Sequence, residues 1–183
     1  MSGGGSWRMA EYLGPLELVG DRWIIGDPKR EGGSCLVLTP EGMEHHRPGA
    51  PEPLAFFPWS IFVELSIRAT YKAWHASRTM GVLNGVGGGY MEAGRDGCSV
   101  GGIRRHPYEP WSVNYAHHAR AYSGNHVHAV RVLFRTLSEA RALHRLGDAE
   151  WLGAAVVRLA SLSGGWALSM TRRVRETIGD LGV

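Results

Sequence analysis

Between Trp59 and Ile67 an apolar residue stands at every second position: Trp59, Ile61, Val63, Leu65 and Ile67. Ser60, Glu64 and Ser66 hold three of the places between them and Phe62 the fourth. Period two is what a strand with one buried and one wetted face requires. A chain carrying such a strand must supply neighbours for its backbone and a second layer for its apolar face. Pro58 lacks a ladder N–H, so the strand starts there or lies at an edge. The expected strand is 59–67, with room to run on to Trp74, and Val63 faces the core.

Candidate neighbours lie on both sides. Leu16–Val19 and Trp23–Ile25 flank Gly20-Asp21, a turn between short strands. Thr39-Pro40-Glu41-Gly42 fixes φ with proline and closes with glycine, which predicts a hairpin of Ser34–Leu38 and Met43–His46. A proline-rich loop spans 47–53. Residues 75–110 are glycine-rich without a sustained period and read as a long loop or loosely formed hairpin, a length often functional. Around Gly124-Asn125, apolar matching predicts a second hairpin pairing Tyr115 with Phe134, His117 with Val132 and Ala119 with Val130.

The period then changes to that of helices. Thr136 or Ser138 is placed to cap one, with Glu139 in its first turn. Gly147 reads as a stop and Asp148 as the next cap, ahead of Leu152, Ala155, Val156, Leu159 and Leu162 at helical spacing. After the break at 163–165, Trp166, Met170, Val174, Ile178 and Leu181 form one stripe.

The 183 residues, 44% of them hydrophobic, suit one core-forming domain. Residues 1–6 read as a flexible Gly/Ser tail, 7–163 as the β-rich domain with its closing helices, and 164–183 as a C-terminal amphipathic helix. Two cysteines, Cys35 and Cys98, are too few for a disulfide framework and fit a reducing cytoplasm. No stretch reads as a signal peptide or a membrane span. Residues 1–92 carry a net charge of −2 and residues 93–183 a net charge of +5. A basic half can attract nucleic acid or an anionic surface, although a solvated face is the commoner cause.

The order of elements resembles the bacterial pleckstrin-homology-like (PH-like) domains. The stretches that carry the resemblance are LVLTPEGMEHH, FFPWSIFVELSI, HVHAVRVLF and SEARALHRLGDAEWLGAAVVRLASL, within residues 16–162. The resemblance implies an α+β fold: a curved antiparallel sheet or partly open β-barrel capped by C-terminal helices, used to bind partners and not to catalyse.

The chemistry-bearing residues point less sharply. His126 and His128 on one strand face could share a zinc ion, but no third ligand is evident. Cys98, beside glycines and Arg95, could act as a thiolate with His106 or His118 as base, yet nothing in the sequence brings them together. The glycines lack the P-loop ending. No catalytic residue, metal or cofactor is therefore assigned. Arg104 and Arg105 near Tyr108 and Trp111 interleave cations with aromatics and form a candidate partner surface. The stripe Trp166, Met170, Val174 and Ile178 is a second, and predicts a homodimer if it lies bare. The expectation is a non-enzymatic cytoplasmic module acting through a protein partner. A metal- or cysteine-dependent enzyme and a nucleic-acid or anionic-surface binder are the alternatives.

Overall fold

The computed structural model describes residues 11–71, 98–163 and 167–183. Six strands form one antiparallel sheet in chain order: β1 (Tyr12–Leu13), β2 (Leu16–Val19), β3 (Arg22–Ile25), β4 (Cys35–Leu38), β5 (Gly42–His46) and β6 (Ala55–Pro58). A second antiparallel sheet holds β7 (Phe62–Arg68), β8 (Ser99–Arg104) and β9 (Glu109–Asn114). Three helices follow: α1 (Gly124–Glu139), α2 (Ala149–Ala160) and α3 (Ala167–Gly179). The class is α+β, antiparallel sheets capped by C-terminal helices, and the two sheets do not join into a closed barrel. Among the described residues no helix is long and apolar enough to cross a membrane.

Local turn chemistry sets the first sheet. Val19 pairs with Arg22 across Gly20-Asp21, and Leu38 pairs with Met43 across the proline turn. Thr39 closes that turn: its N–H donates to the Gly42 carbonyl at 2.9 Å and its Oγ1 accepts the Gly42 N–H at 3.2 Å.

The strand after Pro58 departs from the expected phase at its start, while Leu65 and Ile67 are buried as the alternation predicts. Trp59–Ile61 is a 3-10 turn, and the chain extends only from Phe62. A bulge follows: Phe62 pairs with Arg104, Glu64 pairs with Ile103, and Val63 is the extra residue. One inserted residue reverses the faces. Phe62, Leu65 and Ile67 point inward, and Val63 is exposed. Gly102 makes the approach possible, because a Cβ there would lie 2.0 Å from the Glu64 carbonyl oxygen.

The hairpin expected around Gly124-Asn125 is instead the start of α1. Its Val127, Ala129, Val130, Val132, Leu133, Phe134 and Leu137 are all buried, with β7 and α3 both packed against it. Thr136 lies inside this helix and Ser138 near its end, so neither starts one. Ser138 has another role. Its Oγ accepts the Leu65 N–H at 3.0 Å and lies within 3.2 Å of the Leu65 carbonyl, tying the helix to the edge of β7 away from β8. Asp148 does cap α2, accepting the Trp151 N–H at 3.0 Å, and Leu152, Ala155, Val156 and Leu159 face the core. Of the glycine-rich region, residues 99–110 belong to the β8–β9 hairpin, and 72–97 lie outside the described residues.

The last helix spends its stripe on its own chain. Met170, Val174 and Ile178 are buried in the main core, with α3 packed on α1 and α2. They are covered, not bare, which removes the basis for a homodimer through them. Trp166 lies outside the described residues.

Three indoles fasten helical segments and turns. Trp23 donates to the Ala149 carbonyl at 3.2 Å, Trp59 to Thr39 at 2.9 Å, and Trp151 to Leu181 at 3.0 Å. Gly147 sits against the second of these contacts, where a Cβ would lie 2.1 Å from the Thr39 oxygen and 2.8 Å from Trp59 Nε1. Gly147→Ala is expected to cost about 1–3 kcal/mol through this overlap. Urea unfolding measures it, and an unchanged midpoint would contradict the close approach.

Candidate functional site

The four residues of the first predicted partner surface separate in the fold. Arg104 is neutralised across the β8–β9 hairpin by Glu109. Trp111 is half-buried in the seam between the sheets, its ring 4.7 Å from Phe57 and 4.9 Å from Phe62. Arg105 and Tyr108, at the hairpin turn, are exposed. The backbone N–H of Arg105 donates to the Ile61 carbonyl at 2.7 Å, which ties the turn to the 3-10 segment.

This turn borders a groove. One hollow of about 440 Å³ has Trp59, Phe62 and Leu143 among its apolar lining and Pro40, Glu41, Ser60 and His144 among its polar and rim residues. A second, of about 330 Å³, adds Tyr108, Ser138 and Glu139. Val63, Arg105 and Arg141 line both, so the hollows form one continuous surface. Neither Arg105 nor Arg141 has an ion pair with a described residue. The acids around them are unequal. Glu139 is held by Arg175, whose Nη2 lies 2.8 and 3.1 Å from its two oxygens. Glu41 lines only the first hollow. The second hollow is thus the cationic end and the first the apolar end. A larger hollow of about 650 Å³ beyond Pro40 includes Arg22 with Asp21, Glu44 and Asp148, an acidic balance that gives an anion no seat.

A second cluster is buried. His117 and His118 are the buried polar residues of the described chain. The ring nitrogens of His117 face the His118 carbonyl at 2.6 Å and the Thr70 carbonyl at 2.9 Å, and its ring stacks on Tyr122 at 4.0 Å. Tyr122 Oη accepts the His118 backbone N–H at 3.1 Å and lies 2.7 Å from His118 Nδ1. Its own hydrogen is then available to Nδ1, which leaves the ring proton on Nε2. Nε2 lies 2.9 Å from Glu17 Oε2, inside ion-pair range but off the line of a regular hydrogen bond. Arg120 also contacts that oxygen, at 2.9 Å, and stands over the Tyr12 ring. Burial, and then Arg120, pull the His118 pKa down to about 4, against the opposing pull of Glu17 and Asp27. Burial also raises the Tyr122 hydroxyl above its ordinary value. Such a chain can pass a proton, but His118 and Tyr122 at its inner end are under a tenth exposed. Its evident work is structural: the Tyr71 carbonyl accepts the Tyr122 N–H at 2.8 Å, fixing the end of the segment after β7.

The other predicted ligands and bases do not converge. Two residues apart on a helix, His126 and His128 point to different sides. His126 meets the Tyr12 ring at 5.7 Å, and His128 Nε2 lies 2.9 Å from Thr171 Oγ1. No group of three or more His, Cys, Asp or Glu among the described residues is placed to hold a metal ion. Cys98 is buried, its Sγ 3.7 Å from Thr70 Oγ1, at the opposite end of β8 from His106, roughly 20 Å along the strand. His118 turns its ring to Tyr122 and Glu17. Burial, then Asp27, push the Cys35 thiol up to about 11, far from a reactive thiolate.

Arg141 and the exposed Val63 have no local sequence signal, since the groove draws on four distant segments. The buried cluster had one: His117, His118, Arg120 and Tyr122 crowd six positions. No family model, curated protein or solved structure matches the chain.

Proposed function

We propose that the protein is a non-catalytic binding module whose groove takes an extended segment of a partner protein, an apolar side chain in the first hollow and an acidic one in the second. One observation carries the reading: Arg105 and Arg141, without ion pairs among the described residues, share both hollows with the exposed Val63. A cation beside an apolar recess complements an acidic–apolar sequence and rejects a basic one. Nucleic acid fits less well. It presents a regular row of phosphates that calls for several cations, and here two stand between Glu41 and Glu139. The reading agrees with the PH-like resemblance, whose members bind partners on a capped curved sheet.

Selection from a random peptide library displays the preference directly. Enriched peptides are expected to carry Asp or Glu beside a large apolar residue and to lose binding to the Arg105→Glu variant. Enrichment without acidic residues, or binding indifferent to Arg105→Glu, would overturn the reading, as would salt-sensitive retention of single-stranded DNA in place of peptides.

A further inference from the structure

Helix α1 ends in a full set of C-terminal hydrogen bonds. The Arg141 N–H donates to the Ser138 carbonyl at 3.1 Å and the Ala142 N–H to the Leu137 carbonyl at 2.8 Å. This is the Schellman arrangement, and its left-handed residue is usually glycine. Here it is Arg141, with φ of 56°. An L side chain in that conformation is disfavoured by contact of its Cβ with the backbone. Among the described residues the side chain has no hydrogen bond to offset this. It is exposed and makes no ion pair with a described residue. It does line both hollows.

We infer that Arg141 is the specificity-determining residue of the groove, holding with Arg105 a side-chain oxyanion of the bound segment in the second hollow. This rests on the binding reading above. Three features place the oxyanion at that end. Both guanidiniums, without ion pairs among the described residues, line the second hollow, and Glu41 does not. The acid that does line it, Glu139, is already held by Arg175. Tyr108, 73% exposed, supplies a hydroxyl donor at the same hollow. A guanidinium fork binds a carboxylate or a phosphoryl group through paired N–H donors, whereas an ammonium gives a single point of charge. The helix end also fixes the backbone from which Arg141 projects, so less freedom is lost on binding.

The test compares the full chain with its Arg141→Gly and Arg141→Lys variants, using an acidic–apolar peptide from the selection, its phosphoserine version and its Asn/Gln version. Arg141→Gly is expected to leave the melting temperature unchanged or raise it by about 2 °C, while weakening the acidic peptide on the order of tenfold. Arg141→Lys should fall between. The Asn/Gln peptide should bind the wild-type chain and the glycine variant equally weakly. A tighter phosphoserine complex would identify phosphoryl as the favoured oxyanion, and a tighter unmodified one carboxylate; either supports the seat. If the acidic peptide binds all three proteins with one affinity, the assignment to Arg141 is wrong even though the groove binds peptides. If no peptide binds the wild-type chain, the binding reading itself fails. A melting temperature several degrees lower in Arg141→Gly would show that the side chain serves the fold, and would equally overturn the inference.

Discussion

Phe62→Ala is expected to lower folding stability by about 3–5 kcal/mol, while Val63→Asp, one position on, changes it by less than about 1 kcal/mol. Phe62 is buried between the sheets with Trp111 at 4.9 Å, whereas Val63 is the extra residue of the bulge and stands at the groove. Plain alternation from Trp59 predicts the opposite order, with Val63→Asp driving a charge into the core. Chemical denaturation of both variants decides between the two phases. Similar losses for both would mean that the bulge does not persist in solution.

Acid should weaken the fold through His118. In the unfolded chain this histidine takes a proton near its ordinary pKa of 6.5; in the fold burial holds that value at about 4. Between these values the unfolded state binds a proton that the native state refuses, so stability falls as pH falls. At about 1.4 kcal/mol per unit, the loss from this group reaches roughly 3 kcal/mol by pH 4 and is absent above about pH 7. His45, His126 and His128, lowered chiefly by burial, act in the same direction. Urea titrations across pH 7.5 to 4 on the wild-type chain and on His118→Gln isolate the contribution. The variant is expected to be weaker at pH 7.5 and to lose less on acidification. Parallel curves would show that His118 is not held neutral in the native state.

Sequence reading reached the fold class and those elements whose causes are local. The Thr39–Gly42 turn and the Asp148 cap each depend on residues within a few positions, and both are in place. Helix α1 was illegible for a physical reason. Its apolar residues hold to one broad arc, with His128, Arg131, Arg135 and Glu139 on the other, but Val130, Val132 and Phe134 also fall by chance at a strand's period behind a Gly-Asn pair. The exchange of Phe62 and Val63 at the start of β7 was hidden because its bulge depends on Gly102, some forty residues away and free of a clashing side chain. The candidate site divides in the same way. Arg105 and Tyr108 could be named from their own stretch. Arg104 could not be seen to be cancelled by Glu109, nor Arg141 to join Arg105, until the chain was folded. The stripe on the last helix was read correctly as amphipathic, but the sequence did not say which surface would cover it.

The indole that donates to the Thr39 carbonyl has a further use. Trp59 is only 7% exposed, yet it belongs to the lining of the groove's apolar end. An indole held by one hydrogen bond at the wall of a recess is sensitive to changes in local polarity. The chain therefore carries its own optical reporter at the proposed docking position. Occupancy of the groove can be followed through intrinsic emission, with a Trp59→Phe variant separating that signal from the remaining tryptophans, and no dye need be attached to the surface under study.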